Sequence, residues 1–258
     1  MSRKKVALVL SGGGALGCAH IGVIKVLEKY NIPIDIVVGT SMGGIVGGAY
    51  CSGLSVEKMI DFACKFKTIN FLDMNFDSSG LFSGKGVMKI INKFLPDTNI
   101  EFLSKTFACV AADLYTEKEV IFKTGSLRDA VRATISIPGI FVPFKKDDML
   151  LVDGGVINNL PEDVAMEMGA DIIISCDVIN GCRIKKPKNA FVTLFYSVFT
   201  STKEIQKLKS NHSDILIRPD MNGLTPFSYG AKEAKLAVKR GEKATLDVIK
   251  NIQKLLKE

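Results

Sequence analysis

Two short apolar runs, each ended by a glycine turn that opens a helix, constrain this chain more than any other feature. Val6-Ala7-Leu8-Val9-Leu10 stops at Ser11-Gly12-Gly13-Gly14, and residues 19–30 follow with Ile21, Val23, Ile24 and Leu27 on one broad face. Residues 34–38 stop at Gly39, and a second helix is predicted over 43–51. Short β-branched runs without polar alternation predict strands buried on both faces. Strand, helix, strand, helix predicts a parallel sheet with helices on its faces, because a parallel return needs a crossover.

The pattern continues downstream. Residues 86–95 have helical spacing, 107–113 and 119–124 bracket a short turn and predict an antiparallel pair, and a helix from about Leu127 runs into the breaker Ser136-Ile137-Pro138-Gly139. Met149-Leu150-Leu151-Val152 is an apolar strand ended by Asp153-Gly154-Gly155, Pro161 opens a helix, and 171–177 is a buried strand. Two long helical stretches flank 214–219, while 71–82 and the basic 185–189 read as loops. With no repeat, low-complexity tract or linker, residues 1–258 are taken as one α/β domain with one sizeable core.

An apolar content of 47% excludes disorder. No apolar run approaches the ~20 residues that span a bilayer, so a soluble, cytoplasmic protein is expected, or one peripheral to a membrane. Met1-Ser2-Arg3-Lys4-Lys5 before the first strand imitates a signal peptide, but the apolar run is shorter than an h-region of ~7–15 residues. Six scattered cysteines lack both metal-site spacing and a disulfide framework and read as reduced small hydrophobes. No metal or cofactor is expected. The net charge of +7 is uneven: residues 183–258 hold 16 Lys/Arg against 7 Asp/Glu. Solvated helix faces are the ordinary reading, and anionic lipid is the alternative; nucleic acid is not expected as a partner. Oligomeric state is not legible.

Gly39-Thr40-Ser41-Met42-Gly43 fits G-x-S-x-G, with a strand before it and a helix after it. That setting lifts a serine hydroxyl above the sheet edge at a helix N-terminus, where a developing anion is favoured. Gly12-Gly13-Gly14 supplies backbone N–H donors of the kind that hold a tetrahedral oxyanion, with Gly17 completing the turn. The same glycines match a G-x-G-x-x-G dinucleotide fingerprint, but its acidic residue belongs at the end of the second strand, and Asp35 stands at the start. The chain has two histidines. His20 reads as a structural neighbour of the glycine loop. His212, between polar helical segments, would serve a Ser41…Asp153…His212 triad, but Ser41 comes too early for that fold. Asp153 ends an apolar strand at the carboxyl edge of the sheet and is the preferred base, with Asp177 in reserve.

Ser11-Gly12-Gly13-Gly14-Ala15-Leu16-Gly17 with His20-Ile21-Gly22-Val23, Gly39-Thr40-Ser41-Met42-Gly43, and Asp153-Gly154-Gly155 together resemble the three signatures of the patatin-like phospholipases. Residues 133–141 are similar to that family's A-S-x-S-I-P-G-x-F segment, and the resemblance covers about residues 5–180. It implies a three-layer α/β/α fold with a mostly parallel central sheet, and a Ser41–Asp153 dyad that hydrolyses lipid acyl esters through an acyl-enzyme, without metal, with Met42 N–H joining the Gly12–Gly14 amides in the oxyanion hole. The substrates it implies are phospholipids, lysophospholipids or neutral lipids. Leu16 stands where the family usually carries Arg or Lys. An apolar side chain there is expected to pack on the first helix or line an acyl groove, with weak preference for charged headgroups. A non-hydrolytic regulatory protein on the same fold and a Ser–His–Asp esterase are the alternatives. Phe141-Val142-Pro143-Phe144 with Lys145-Lys146 is read as either a membrane contact or core packing.

Overall fold

In the computed structural model, which describes residues 3–65, 82–180, 182, 186–187, 189–209 and 211–257, the first strand shows why a sheet with two covered faces forms. Val6, Leu8 and Leu10 of β1 (Val6–Leu10) enter one hydrophobic core, and Ala7 and Val9 enter another. The strand period of two sends alternate side chains to opposite faces, and both faces are apolar. The remaining strands are β2 (Ile36–Thr40), β3 (Thr106–Asp113), β4 (Lys118–Phe122), β5 (Phe144–Lys146), β6 (Met149–Asp153), β7 (Ile172–Cys176) and β8 (Ile215–Ile217). They form one sheet in the order β5-β6-β3-β2-β1-β7-β8, with β4 also on β3. The pairs among β3, β2, β1, β7 and β8 are parallel, and those joining β3 to β4, β3 to β6 and β5 to β6 are antiparallel.

Helices cover both faces, giving the three-layer α/β/α arrangement with a mixed, mostly parallel sheet. The larger core gathers α1 (Cys18–Lys29), α2 (Met42–Cys51), α3 (Val56–Lys65), α4 (Lys85–Phe94), α5 (Leu127–Thr134) and α8 (Ala231–Leu255). The opposite face is covered by α6 (Glu162–Glu167) through Val164 and Ala165, and α7 (Ala190–Lys209) packs beside the turn after β6. Among the described residues no helix is long and apolar enough to cross a membrane.

The register of β3 fixes the geometry of the sheet's centre. Residues 106–110 pair with β2, 111–113 with β6, and 109–113 with β4. Because β4 overlaps both other registers, it takes one edge of β3, and β2 and β6 share the other. Val110 is opposite Thr40 and the next residue, Ala111, is opposite Asp153. Two segments more than a hundred residues apart in sequence therefore end side by side.

The expected elements are present with shifts of one or two residues at their ends. Sequence reading missed α3, the short β5 and the strand β8 between the two long helices. Each is brief or polar on one side and gains its structure from packing. Residues 71–81, and 185 and 188 of the basic 185–189 stretch, all expected as loop, lie outside the described residues.

Helices α1 and α8 cross where both carry glycine. A Cβ on Gly22 would lie 2.0 Å from Val238 O, and one on Gly241 would lie 2.0 Å from Ala19 O. Helix propensity alone favours Gly241→Ala by about 1 kcal/mol. The backbone contact reverses the sign, and a net loss of ~1–3 kcal/mol is expected from the forced separation. Urea unfolding reads this directly, and a stabilised Gly241→Ala protein would refute the close crossing.

Candidate active site

Ser41 occupies the single residue between the end of β2 and the start of α2, with φ 54° and ψ −121°. A non-glycine residue at positive φ carries strain of order 1–3 kcal/mol and persists only where its surroundings fix it. Here its N–H donates to Thr134 Oγ1 (2.9 Å), and the Thr134 hydroxyl in turn donates to Val110 O. Thr40 Oγ1 donates to Asn158 O (2.9 Å). The flanking glycines are required by space: a Cβ on Gly43 would lie 2.1 Å from Leu10 O, and one on Gly39 would lie 2.4 Å from the Gly43 backbone. The helix thus rests directly on the strand ends.

Ser41 Oγ donates a 2.6 Å hydrogen bond to Asp153 Oδ2. Gly155 N–H holds the other carboxylate oxygen at 2.8 Å, and Asp153 N–H is tied to Ser136 O. Both side chains are 6% exposed. Gly154 lets the chain turn away over β3, where a Cβ would lie 2.3 Å from Val110 O. Burial pushes the Asp153 carboxyl up to about 6, against the pull of its bonds from Ser41 and Gly155.

The glycine loop divides its amides. Gly12 N–H, expected among the oxyanion donors, instead donates to Asn159 O (3.1 Å), so that assignment is corrected: Gly12 anchors the loop. Gly13 and Gly14 N–H have no backbone acceptor among the described residues, and both residues line a cavity with Ser41 and Met42. Met42 opens α2, so its N–H lacks an intrahelical partner. Gly14 has φ +57°, and a Cβ there would meet Pro226 O at 2.5 Å; the next amide, Ala15 N–H, bonds that same oxygen. Gly17 leaves room for Met42, whose Cγ would be 2.4 Å from a Cβ.

His20 is fully buried, and its Nε2 donates to Ser11 O (2.8 Å), bracing the loop. Burial lowers its pKa to about 4, so the ring is neutral at physiological pH. His212 is exposed, with its backbone N–H on Glu162 Oε2 at the start of α6, and it does not line the cavity. Asp177 caps the turn after β7 by accepting from Ile179 and Asn180 N–H. Asp35, the fingerprint's acid candidate, holds Arg3 through both oxygens at 2.6 Å. Leu16 is fully buried in the larger core and does not line the cavity, so it packs rather than forming a groove. In the Phe141–Phe144 stretch, Phe141 is buried against the cavity and Lys146 is paired with Asp129 at 2.8 Å, which leaves Lys145 as the exposed cation.

The cavity above Ser41 holds about 240 Å³ and is walled by Met59, Val87, Ile91, Phe94, Phe195 and Phe199. Its polar end is Ser41, Asp153 and the glycine loop; α3, α4 and α7 supply the apolar walls. Sequence reading did not find these walls, because apolar spacing on a helix does not distinguish a core face from a cavity face. It also missed Thr134 as the support of the Ser41 backbone, although the segment containing it had drawn attention.

The fold and this constellation define an α/β protein with a serine at a strand–helix elbow and a buried carboxylate as its partner. Residues 8–166 match the family model described as patatin-like phospholipase. The chain belongs to the patatin-like phospholipase family. It is 38% identical over 181 residues to patatin-like phospholipase domain-containing protein 6 of Mus musculus, covering 67% of this chain and 13% of that protein. It is 34% identical over 186 residues to neuropathy target esterase sws of Drosophila melanogaster, covering 69% and 13%. The chain thus spans about an eighth of the length of these curated relatives. VipD from Legionella pneumophila shares the fold, with a TM-score of 0.65 at 14% identity over 97% of this chain and 67% of VipD.

Two outcomes follow from this geometry. The Asp153 carboxyl titrates higher in the folded protein than its ordinary 3.8, so its contribution to stability is full below about pH 4 and lost as pH rises through about 6. At pH 7.5 the ionised carboxylate therefore destabilises the fold by on the order of 3 kcal/mol. Asp153→Asn is expected to be more stable than wild type at pH 7.5, with the gap closing toward pH 4. A gap that does not change with pH would show that this carboxylate is not ionising in a buried site. Thr134→Val removes the acceptor for Ser41 N–H and is expected to destabilise the fold by ~1–3 kcal/mol, read by the same denaturant titration.

Proposed function

We propose that the chain is a serine acyl hydrolase that cleaves lipid acyl esters with Ser41 as nucleophile and Asp153 as base. The observation that carries this reading is the 2.6 Å Ser41–Asp153 hydrogen bond at the polar end of an apolar cavity. Ser41 Oγ attacks the ester carbonyl as its proton passes to Asp153 Oδ2. The carbonyl oxygen becomes an oxyanion facing Gly13, Gly14 and Met42 N–H. When the intermediate collapses, the C–O bond to the alcohol breaks and Asp153 returns the proton to the leaving oxygen. Water then attacks the acyl-enzyme, Asp153 takes its proton, and the fatty acid leaves as Ser41 is restored.

The walls from α3, α4 and α7 suit an acyl chain and offer no charge to a headgroup inside the cavity. Leu16 points into the core, so it does not meet a headgroup; an Arg there would bury its guanidinium rather than greet a phosphate. Phospholipid, lysophospholipid and neutral lipid esters all fit this reading. The positive C-terminal third supports peripheral contact with anionic membrane.

A fluorophosphonate should label Ser41, as read by peptide mass spectrometry, and Ser41→Ala should abolish turnover of a chromogenic ester. An adduct on a different serine would refute the assignment. Asp153→Asn should lower kcat by at least ~10²-fold. Because the base must be ionised, kcat/KM should rise with pH to a plateau with an inflection near 6. That inflection lies in the histidine range, yet His212→Ala should leave both it and the activity within a few-fold. Loss of activity in His212→Ala would replace the dyad with a triad.

A further inference from the structure

The proposed reaction leaves a second cavity unused. It holds about 140 Å³, enough for a tetrahedral oxyanion, and lies across α7 from the catalytic cavity. Phe195, Phe199 and Thr202 of α7 face the catalytic cavity, while Lys203, Gln206 and Lys207 line the other. The far wall is Ile179 and Asn180 after β7, Asn211, and Arg218 after β8. We infer that this cavity is a binding site for a phosphate group, and that its occupancy is felt by the glycine loop at Ser41.

Its chemistry is a surplus of hydrogen-bond donors. Lys203 Nζ donates to Cys182 O (2.8 Å) and sits over the Phe199 ring, with no carboxylate in ion-pair reach among the described residues. Two of its three protons remain for a ligand. Arg218 approaches Asp177 Oδ2 with Nε at 3.7 Å, too long for a hydrogen bond, so its guanidinium keeps donors for an oxyanion. Lys207 shares the exposed Glu204, and Asn180 and Asn211 add amide donors. Asp177 and Glu204, the carboxylates nearest Arg218 and Lys207 among the described ion pairs, do not line the cavity. Three cations, two on α7 and one after β8, with no carboxylate in the lining, favour phosphate oxygens over a neutral or cationic ligand.

The coupling has two contacts. Ile179 lines this cavity and also backs Gly13, where its Cγ2 would lie 3.1 Å from a Cβ. Gln206 lines the cavity and accepts from Asn159 Nδ2 (2.8 Å), while Asn159 O holds Gly12 N–H. The wall of the anion cavity is thus the back of the loop whose free amides face Ser41. A phosphate bridging Lys203 on α7 to Arg218 draws α7 against that loop and fixes its donors. This effect on turnover rests on the proposed hydrolase reading; the binding itself does not.

Thermal unfolding of the Ser41→Ala protein at fixed ionic strength tests binding without turnover. Inorganic phosphate should raise Tm saturably, as expected for a ligand that binds the folded state alone. Lys203→Gln, and separately Arg218→Gln, should weaken apparent affinity at least ~10-fold. Lys250→Gln, on an exposed turn of α8, should not change it. No saturable shift, or an equal shift in the Lys203→Gln and Arg218→Gln proteins, overturns the site. A lipid-borne phosphate is distinguished by co-sedimentation with phosphatidylcholine vesicles with or without phosphatidic acid. Competition by inorganic phosphate for the phosphatidic acid vesicles, lost in Lys203→Gln, identifies the headgroup as a ligand; absence of such competition confines the site to soluble phosphate. In wild type, saturating phosphate should raise kcat/KM for a neutral chromogenic ester at least ~3-fold. Binding without that rise would overturn the coupling, and an enzyme inert to all esters would overturn the hydrolase reading while leaving the binding result intact.

Discussion

One edge of β3 sets the chemistry of this protein. Thr40 and Asp153 are opposite Val110 and Ala111, neighbours on a single strand, so the residue after Thr40 and the last residue of β6 end together. No loop has to reach across the site. Sheet hydrogen bonds define the separation of serine and carboxylate, and a one-residue slip of β6 would turn Asp153 to the opposite face. The long β3, with β4 on its other edge, is rigid enough to serve as that template.

The site pays for this placement in backbone strain and carboxylate desolvation, and the neighbouring residues show how both are borne. Thr134 accepts from the amide of the strained Ser41 and donates its own hydrogen bond to the Val110 carbonyl on the same template strand. Glycines at 39, 43 and 154 let α2 and the turn after β6 lie against strand backbone, where any side chain would collide. The result is a buried, closely fitted floor beneath an apolar cavity, and burial is what moves the Asp153 carboxyl toward neutrality.

How much of this was legible in sequence depends on whether the signal was local. The strand–glycine–helix units, Ser41 in its elbow and Asp153 at a strand end were readable because each is written within a few consecutive residues. A parallel sheet with helices on its faces followed from their order, and the three-layer form from the family resemblance. What failed was contact across the chain. Gly12 looked like a donor until Asn159, nearly 150 residues later, was seen to take its proton. Sequence leaves Leu16 between packing on the first helix and lining an acyl groove, and only the fold shows that its side chain turns into the core. The Phe141–Lys146 stretch reads equally as membrane contact or core packing, and the fold divides it between the cavity wall at Phe141 and an ion pair of Lys146 with Asp129. The walls from α3, α4 and α7 were invisible for the same reason: an apolar face announces burial, not what it is buried against.

The scarcity of histidine then acquires a physical explanation. A solvated aspartate near 4 is a weak base for a serine hydroxyl, and an imidazole ordinarily closes that gap. Burial closes part of it here by raising the carboxyl to about 6, within the range a histidine would supply. An intervening ring would also need space between Oγ and the carboxylate, and the 2.6 Å contact leaves none. His20 cannot enter later, since its Nε2 is committed to Ser11 O and burial keeps it neutral. The same shift that would equip Asp153 as the base of the proposed reaction destabilises the fold at neutral pH. A solvated Asp153 would relieve that strain but lose basicity, so in the proposed reaction stability and turnover are set in opposition by the burial of one carboxylate.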